Sequence, residues 1–235
     1  MGTGWLAELT DAGLDLLLGS CCAACGRPGA VLCGGCREKL PPEPLRRHAP
    51  LPGPAPPPLW SGALYRPVAG RLVIAYKDRG AWTLRRPLAE LVARAVLAVL
   101  ADRGEAPSGA FIVPVPADPL RARERGIDHA ASLARAAARR TGSRYWPALL
   151  RIGAVPDQVG LDSHQRRSAQ AGTMAMRPHA PRGVPLPGAP VVVLDDVITT
   201  GATMAEAVRV LERAGARVLG CASVAQTPLP ERWKK

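Results

Sequence analysis

Lysine is nearly missing from this chain of 235 residues: it occurs only at positions 39, 77, 234 and 235, and arginine supplies the other 27 of the 31 basic residues. Aromatic residues are also scarce, at 4%, with a single Phe. No run of about 18 uncharged apolar residues occurs, which excludes a membrane-spanning helix. No Lys or Arg precedes Arg27, so the start lacks the cationic stretch of a secretory signal. The expectation is a cytoplasmic protein without membrane insertion. Five of the six cysteines fall between Cys21 and Cys36, which is not the spread of a disulfide scaffold.

What is present is globular in balance. The chain is 47% apolar and 21% charged, which excludes wholesale disorder. The length admits one full domain, or one domain plus a small module. The net charge of +12 attracts polyanions and phosphorylated ligands. Arg, Ala, Gly and Pro all have GC-rich codons, however, and genome bias accounts for the arginine excess equally well.

Residues 5–18 read as a short helix, with Trp5, Leu6, Leu9, Leu16 and Leu17 on one face. The cysteine cluster follows. Half of residues 41–58 are proline, a composition that favours extended, semi-rigid chain and marks a linker. The boundaries implied are an N-terminal helix and cysteine module over 1–40, a Pro-rich linker over 41–60, and one domain over 61–235. In that domain, residues 62–76 read as a strand or hairpin entering a short helical stretch. Leu88, Leu91, Val92, Ala95 and Val99 fall at helical spacing and predict a helix over Pro87–Ala101. Buried strands are predicted over Ala110–Val115, Val191–Leu194 and Ala216–Val224. Asp128 is a cap for a helix running to about Arg140, and a further helix is predicted over Ala202–Ala214, ended by Gly215. Residues 153–187 read as loop-rich. Strand–helix–strand order predicts an α/β fold, a mostly parallel sheet with helices on both faces.

The sharpest chemical pattern spans Val191 to Thr203. An apolar strand ends in Asp195 and Asp196, and a hydroxyl-rich turn with one glycine then opens a helix. A helix N-terminus offers unpaired N–H groups and partial positive charge to an anion. Gly201 allows close backbone approach, and Thr199, Thr200 and Thr203 add hydroxyls. The carboxylates can accept hydrogen bonds from sugar hydroxyls or help place Mg2+. The turn lacks the Gly-Lys-Ser/Thr of a P-loop and the triple glycine of a dinucleotide site. A second cationic turn, Lys77-Asp78-Arg79-Gly80, suits a polyphosphate, or is an ordinary helix end. Arg121, Arg123, Arg125 and Gly126 form a loop over a pyrophosphate or a solvated face. Gln158, Arg166 and Arg167 lie in the loop-rich stretch, as a lid or acceptor-binding region. His129 and His164 are read as ordinary polar residues, and no catalytic base is assigned.

The spacing Cys22-x2-Cys25-x7-Cys33-x2-Cys36 supplies two knuckles and four thiolates for one structural Zn2+. Cys21 and His48 are poorer substitutes, and Cys221 is read as a core residue.

Residues 191–203 resemble the phosphoribosyl pyrophosphate (PRPP) signature of type I phosphoribosyltransferases. More narrowly, the chain resembles the ComF family of competence-associated, phosphoribosyltransferase-like proteins. The ordered set that carries this is the cysteine module, Tyr65 with Lys77 to Gly80, Pro114-Val-Pro116, Arg125-Gly126, Asp157-Gln158 with Leu161, and the signature. The resemblance implies a type I phosphoribosyltransferase fold with a small N-terminal zinc ribbon, and PRPP bound with Mg2+. Asp195 and Asp196 would bind the ribose 2′- and 3′-hydroxyls, and Thr199, Thr200, Gly201, Ala202 and Thr203 the 5′-phosphate. Lys77, Asp78, Arg79 and Gly80 would contact pyrophosphate. It also implies a role in competence and DNA uptake, with single-stranded DNA or a competence-machinery protein as partner. The alternative on the same fold is a non-catalytic PRPP-sensing or single-strand-binding adaptor; a nucleotide salvage enzyme is a third reading. The chain has Asp128 and Ala169 where that family usually carries Asn, a departure that bears on acceptor recognition.

Overall fold

The continuous apolar run Val191–Leu194 has no polar alternation, the pattern of a strand covered on both faces. In the computed structural model, which describes residues 21–47, 51, 56–117, 128–152, 172–178 and 186–228, it lies inside a six-stranded sheet. The strands are β1 (Leu45–Arg47), β2 (Leu59–Leu64), β3 (Phe111–Pro114), β4 (Arg144–Tyr145), β5 (Leu149–Arg151), β6 (Met174–Met176), β7 (Pro190–Ile198) and β8 (Arg217–Gln226). The helices are α1 (Gly34–Arg37), α2 (Pro67–Asp78), α3 (Arg85–Asp102), α4 (His129–Thr141) and α5 (Ala202–Arg213). The main sheet has the order β1-β2-β8-β7-β3-β4. Every neighbouring pair is parallel except β1 with β2. β5 and β6 form a separate antiparallel pair. This is the α/β class expected.

Two apolar layers enclose the sheet. Alternation along β7 sends Val192 and Leu194 into one and Val191 and Val193 into the other. The first layer is built by α2, α3 and α4; Leu88, Leu91, Val92, Ala95 and Val99 of α3 are all buried in it. Full burial of each such Leu or Val contributes about 1.5–3 kcal/mol. The second layer is built by α5, with Met204, Ala207, Val208 and Leu211, and by Trp146, Leu149 and Met174. Gly62 of β2 lets α3 sit directly on the sheet: a Cβ there would lie 2.5 Å from the Leu91 carbonyl oxygen. The cap expected at Asp128 forms, and a glycine not singled out in the sequence ends the same helix. Asp128 Oδ1 accepts the Ala131 amide at 2.9 Å, and Gly142 closes α4 in the left-handed conformation.

Some differences from the sequence reading have simple causes. β7 and β8 extend past the apolar runs because polar residues inside a parallel sheet still pair their backbones. β4, β5 and β6 were not anticipated; at two or three residues each they are too short to show a period of two. Leu45–Arg47, within the proline tract read as a linker, forms an edge strand, where proline neighbours cost no ladder hydrogen bonds. The helix expected over 5–18 lies outside the described residues, as does most of 153–187.

The cysteine module packs directly on the main domain. Cys22, Ala24, Leu32 and Cys36 belong to the same buried cluster as Leu72 and Leu88. Arg71 donates to the Ala24 carbonyl at 2.5 Å, Arg37 pairs with Glu90 at 3.3 Å, and Arg94 donates to the Pro42 carbonyl. Among the described residues, no helix is long and apolar enough to cross a membrane.

Candidate functional site

β7 continues through Ile198, so Asp195 and Asp196 lie within its last turns of pleat and point to opposite faces of the sheet. Asp196 faces the α2 side, where Lys77 Nζ lies 2.6 Å from its Oδ2. Each carboxylate also accepts the next backbone amide: Asp196 N–H to Asp195 Oδ1 at 2.8 Å, and Val197 N–H to Asp196 Oδ1 at 2.6 Å. Burial and the neighbouring Asp196 charge push Asp195 up to about 7, against the opposing pull of Lys77, the Asp196 amide and Arg151. Burial and the neighbouring charge thus favour the protonated form of Asp195.

Lys77 and Asp78 end α2, Arg79 caps it, and Gly80 turns the chain with φ of 63°. The four predicted residues thus form one helix end beside Asp196. Tyr76, Trp82 and His129 stack behind it, with ring centroids 4.9 to 5.8 Å apart. His129 Nε2 donates to the Lys77 carbonyl at 3.1 Å. His129, read from the sequence as an ordinary polar residue, accordingly ties α4 to the backbone of Lys77.

The turn from Thr199 to Thr203 follows β7 at the carboxyl edge of the parallel strands, where open α/β sheets bind ligands. Gly201 is the N-cap of α5, with φ of 81°, a conformation glycine adopts without steric cost. A Cβ at this position would also meet Leu51 Cδ2 at 2.7 Å. The Ala205 amide makes the first helical bond, to the Gly201 carbonyl. Ala202 N–H reaches Thr200 Oγ1 at 3.4 Å. The amides of Thr200, Gly201, Thr203 and Met204 donate to no group among the described residues. That is the donor set of a helix N-terminus ready for an anion.

Two further residues belong to this region and carried no sequence signal. Arg151 of β5 exerts its charge on Asp195. Arg47 of β1 donates to the Thr199 carbonyl at 2.6 Å and the Ile198 carbonyl at 3.4 Å. Both lie outside any motif, and only the fold brings them here. Arg121, Arg123, Arg125, Gly126, Gln158 and Arg166 lie outside the described residues, as do His164 and Ala169.

The four predicted zinc ligands converge. The sulfurs of Cys22, Cys25, Cys33 and Cys36 all lie within 4.8 Å of one another, and Cys25 Sγ to Cys33 Sγ is 3.7 Å. Tetrahedral Zn–S bonds of about 2.3 Å require sulfurs about 3.8 Å apart, so the set fits Zn2+. Burial raises the Cys22 thiol, but the amides of Cys33, Ala24 and Cys25 and the Cys25 thiol bring it down to about 6. Burial and the surrounding thiols push Cys36 up to about 12. A cation would collect both as thiolates. Cys221 is fully buried in β8, and burial holds its thiol protonated.

Mg2+ is a different case. Asp195 and Asp196 diverge, and three of their four oxygens already have partners. They form no cage for a bare ion, but they fit one that arrives with substrate phosphates and keeps most of its other ligands.

Residues 142–233 match the family model described as the phosphoribosyl transferase domain. A curated relative, adenine phosphoribosyltransferase 1, chloroplastic, of Arabidopsis thaliana, is 39% identical over 61 residues, 26% of this chain; the chain spans about a quarter (24%) of that relative's length. Among solved structures, adenine phosphoribosyltransferase of Rhodothermus marinus overlaps with a TM-score of 0.37 at 21% identity, covering 83% of this chain and 88% of that one. The adenine phosphoribosyltransferase of Leishmania donovani gives 0.38 at 13%, covering 81% and 67%.

Proposed function

We propose that this protein binds PRPP and transfers its phosphoribosyl group to an acceptor. One observation carries the reading: the amides of Thr200, Gly201 and Thr203, without an acceptor among the described residues, and the Asp195–Asp196 pair adjoin one another at the carboxyl edge of the parallel sheet, with Lys77 alongside. The amides and the start of α5 suit a 5′-phosphate. Asp195, whose Oδ2 is outside the bonds described above, suits a ribose hydroxyl. Lys77, Arg79 and the Gly80 turn suit pyrophosphate. Mg2+ bound with PRPP would neutralise the pyrophosphate leaving group.

In this reading the chain's residues act by positioning and charge rather than by a dedicated base. The 5′-phosphate is fixed by the α5 turn and the ribose by the carboxylates, so C1 is held in one place while its bond to pyrophosphate breaks. Asp195 and Asp196, as carboxylates beside the ribose, would favour positive charge developing on it. Lys77 must leave Asp196 for pyrophosphate, which frees the carboxylate as substrate arrives.

The ComF resemblance supports a role in competence and DNA uptake. A direct single-strand platform is less well supported. Trp146 is buried, and the Tyr145 ring is covered by Arg135, whose guanidinium carbon lies 4.8 Å from the ring centroid; stacking on exposed aromatics is what such binding uses.

The test is calorimetric titration of Mg2+–PRPP into the zinc-loaded protein, beside the double variant Asp195→Asn/Asp196→Asn. Saturable binding that the variant loses supports the site and opens a screen for acceptor-dependent pyrophosphate release. Absence of binding at millimolar PRPP removes the reading.

A further inference from the structure

The Thr199–Thr200 peptide enters the anion turn, and its carbonyl is turned away from the amides that follow. Arg47 Nη2 donates to it at 2.6 Å, and Thr227 Oγ1 at 3.4 Å. The preceding Ile198 carbonyl is held in the same direction by the Thr227 amide at 2.9 Å and by Arg47 Nη1 at 3.4 Å. The peptide bond is trans, since the cis bond described is Leu186–Pro187. In a trans peptide the C=O and N–H point in opposite directions. Fixing the Thr199 carbonyl on one side therefore fixes the Thr200 N–H on the other, at the start of a turn whose Gly201, Thr203 and Met204 amides have no acceptor among the described residues.

We infer that Arg47, a residue of the proline tract, is a positioning residue for the anion turn: its guanidinium grips the Thr199 carbonyl from behind and aims the Thr200 amide at the phosphate. This rests on the reading of the turn as a 5′-phosphate site. Several observations converge on it. Arg47 lies on β1, whose pairing with β2 at Arg47↔Leu59 sets where the guanidinium can reach. The bond is charge-assisted, stronger than one between neutral groups. A cation behind the carbonyl also polarises the peptide, making its N–H a better donor to an anion. Leu51, four residues on, packs against Gly201. Arg47 and Leu51 thus brace the turn at two points, Thr199 and Gly201. Burial lowers the Arg47 pKa, but guanidinium groups start so far above neutrality that the charge is kept.

The experiment uses the full zinc-loaded chain as wild type, Arg47→Gln and Arg47→Lys. Each is titrated calorimetrically with ribose 5-phosphate and, separately, with Mg2+–pyrophosphate. Ribose 5-phosphate needs the braced turn; pyrophosphate needs the Lys77–Gly80 end, which Arg47 does not touch. The expected result for Arg47→Gln is a loss of about tenfold or more in ribose 5-phosphate affinity with pyrophosphate affinity retained. Arg47→Lys, which keeps the charge but not the fork, falls between. A variant that binds ribose 5-phosphate like wild type overturns the inference. So does a loss of both ligands in step with a lowered melting temperature, which marks Arg47 as structural only. If wild type itself binds pyrophosphate but not ribose 5-phosphate, the reading of the turn fails first and the role of Arg47 falls with it.

Discussion

Lys77 and Asp196 form an ion pair of 2.6 Å between the end of α2 and the core of β7, with the two side chains only 27% and 12% exposed. Partial burial makes this more than a surface pair, and it leaves each partner costly to remove alone. Lys77→Met should destabilise the ligand-free fold by about 1–2 kcal/mol, because Asp196 keeps its charge without its cation. The double variant Lys77→Met/Asp196→Asn should recover most of that loss. Urea unfolding of the four proteins gives the coupling free energy; a value near zero would show that the pair is solvated and the carboxylate already free for ligand.

Under the proposed PRPP reading, Asp195 gives the site a pH dependence. Its folded pKa of about 7 lies above the ordinary carboxylate value of 3.8, so the folded state holds the proton more tightly than the unfolded one. Its contribution to stability is therefore fully present below about pH 4 and is lost as the pH rises through about 7. Ligand binding runs the other way, because an ionised Asp195 is the better acceptor for a ribose hydroxyl. PRPP affinity should rise with pH, by at most about tenfold per unit, below about 7 and level off above it. The phosphates titrate in the same range, so the comparison is with Asp195→Asn, which retains only the ligand's own dependence. Parallel profiles for the two proteins would remove Asp195 from the binding event.

Metal removal should be felt across the whole chain. Cys22 and Cys36 share one buried cluster with Leu72 and Leu88, so loosening the cysteine turns opens the layer under α2 and α3. Chelation, or Cys25→Ser, should lower the melting temperature as a single shifted transition, alongside the loss of about one zinc per chain by metal analysis. A melting curve unmoved by chelation would mean that the four sulfurs hold the module by packing alone.

The long helices, the α5 turn and the cysteine spacing were legible because each is a local pattern. Leu88 to Val99 repeat at helical spacing, Asp128 marks a helix start, and Cys22 to Cys36 lie within one stretch. What was not legible depends on residues distant in sequence. Arg47 reaches the turn only because β1 pairs with β2, and β2 with β8. His129 reaches Lys77 only because α4 packs beside α2 on one face of the sheet. Ser61 and Ser223, fully buried and 2.6 Å apart, form a polar contact between β2 and β8 that neither segment announces. A short strand such as β4 has too few residues to show a period, and its place follows from the edge of β3 that it covers.

The contact of Leu51 with Gly201 separates two reasons for a glycine at the head of α5. Gly201→Ala must adopt a φ of 81° and place a methyl group 2.7 Å from Leu51 Cδ2. The first cost belongs to the backbone, about 1–2 kcal/mol for a non-glycine residue in the left-handed region. The second belongs to packing and is relieved if Leu51 is truncated. Gly201→Ala should therefore destabilise the fold and weaken ribose 5-phosphate binding, since the turn shifts to make room. Adding Leu51→Ala should restore part of the binding despite the further loss of buried apolar surface. Denaturation and ligand titration on Gly201→Ala, Leu51→Ala and the pair distinguish the causes. Binding that recovers in the double variant assigns the defect to Leu51 pressing on the turn. Binding that stays lost assigns it to the backbone conformation that glycine alone permits.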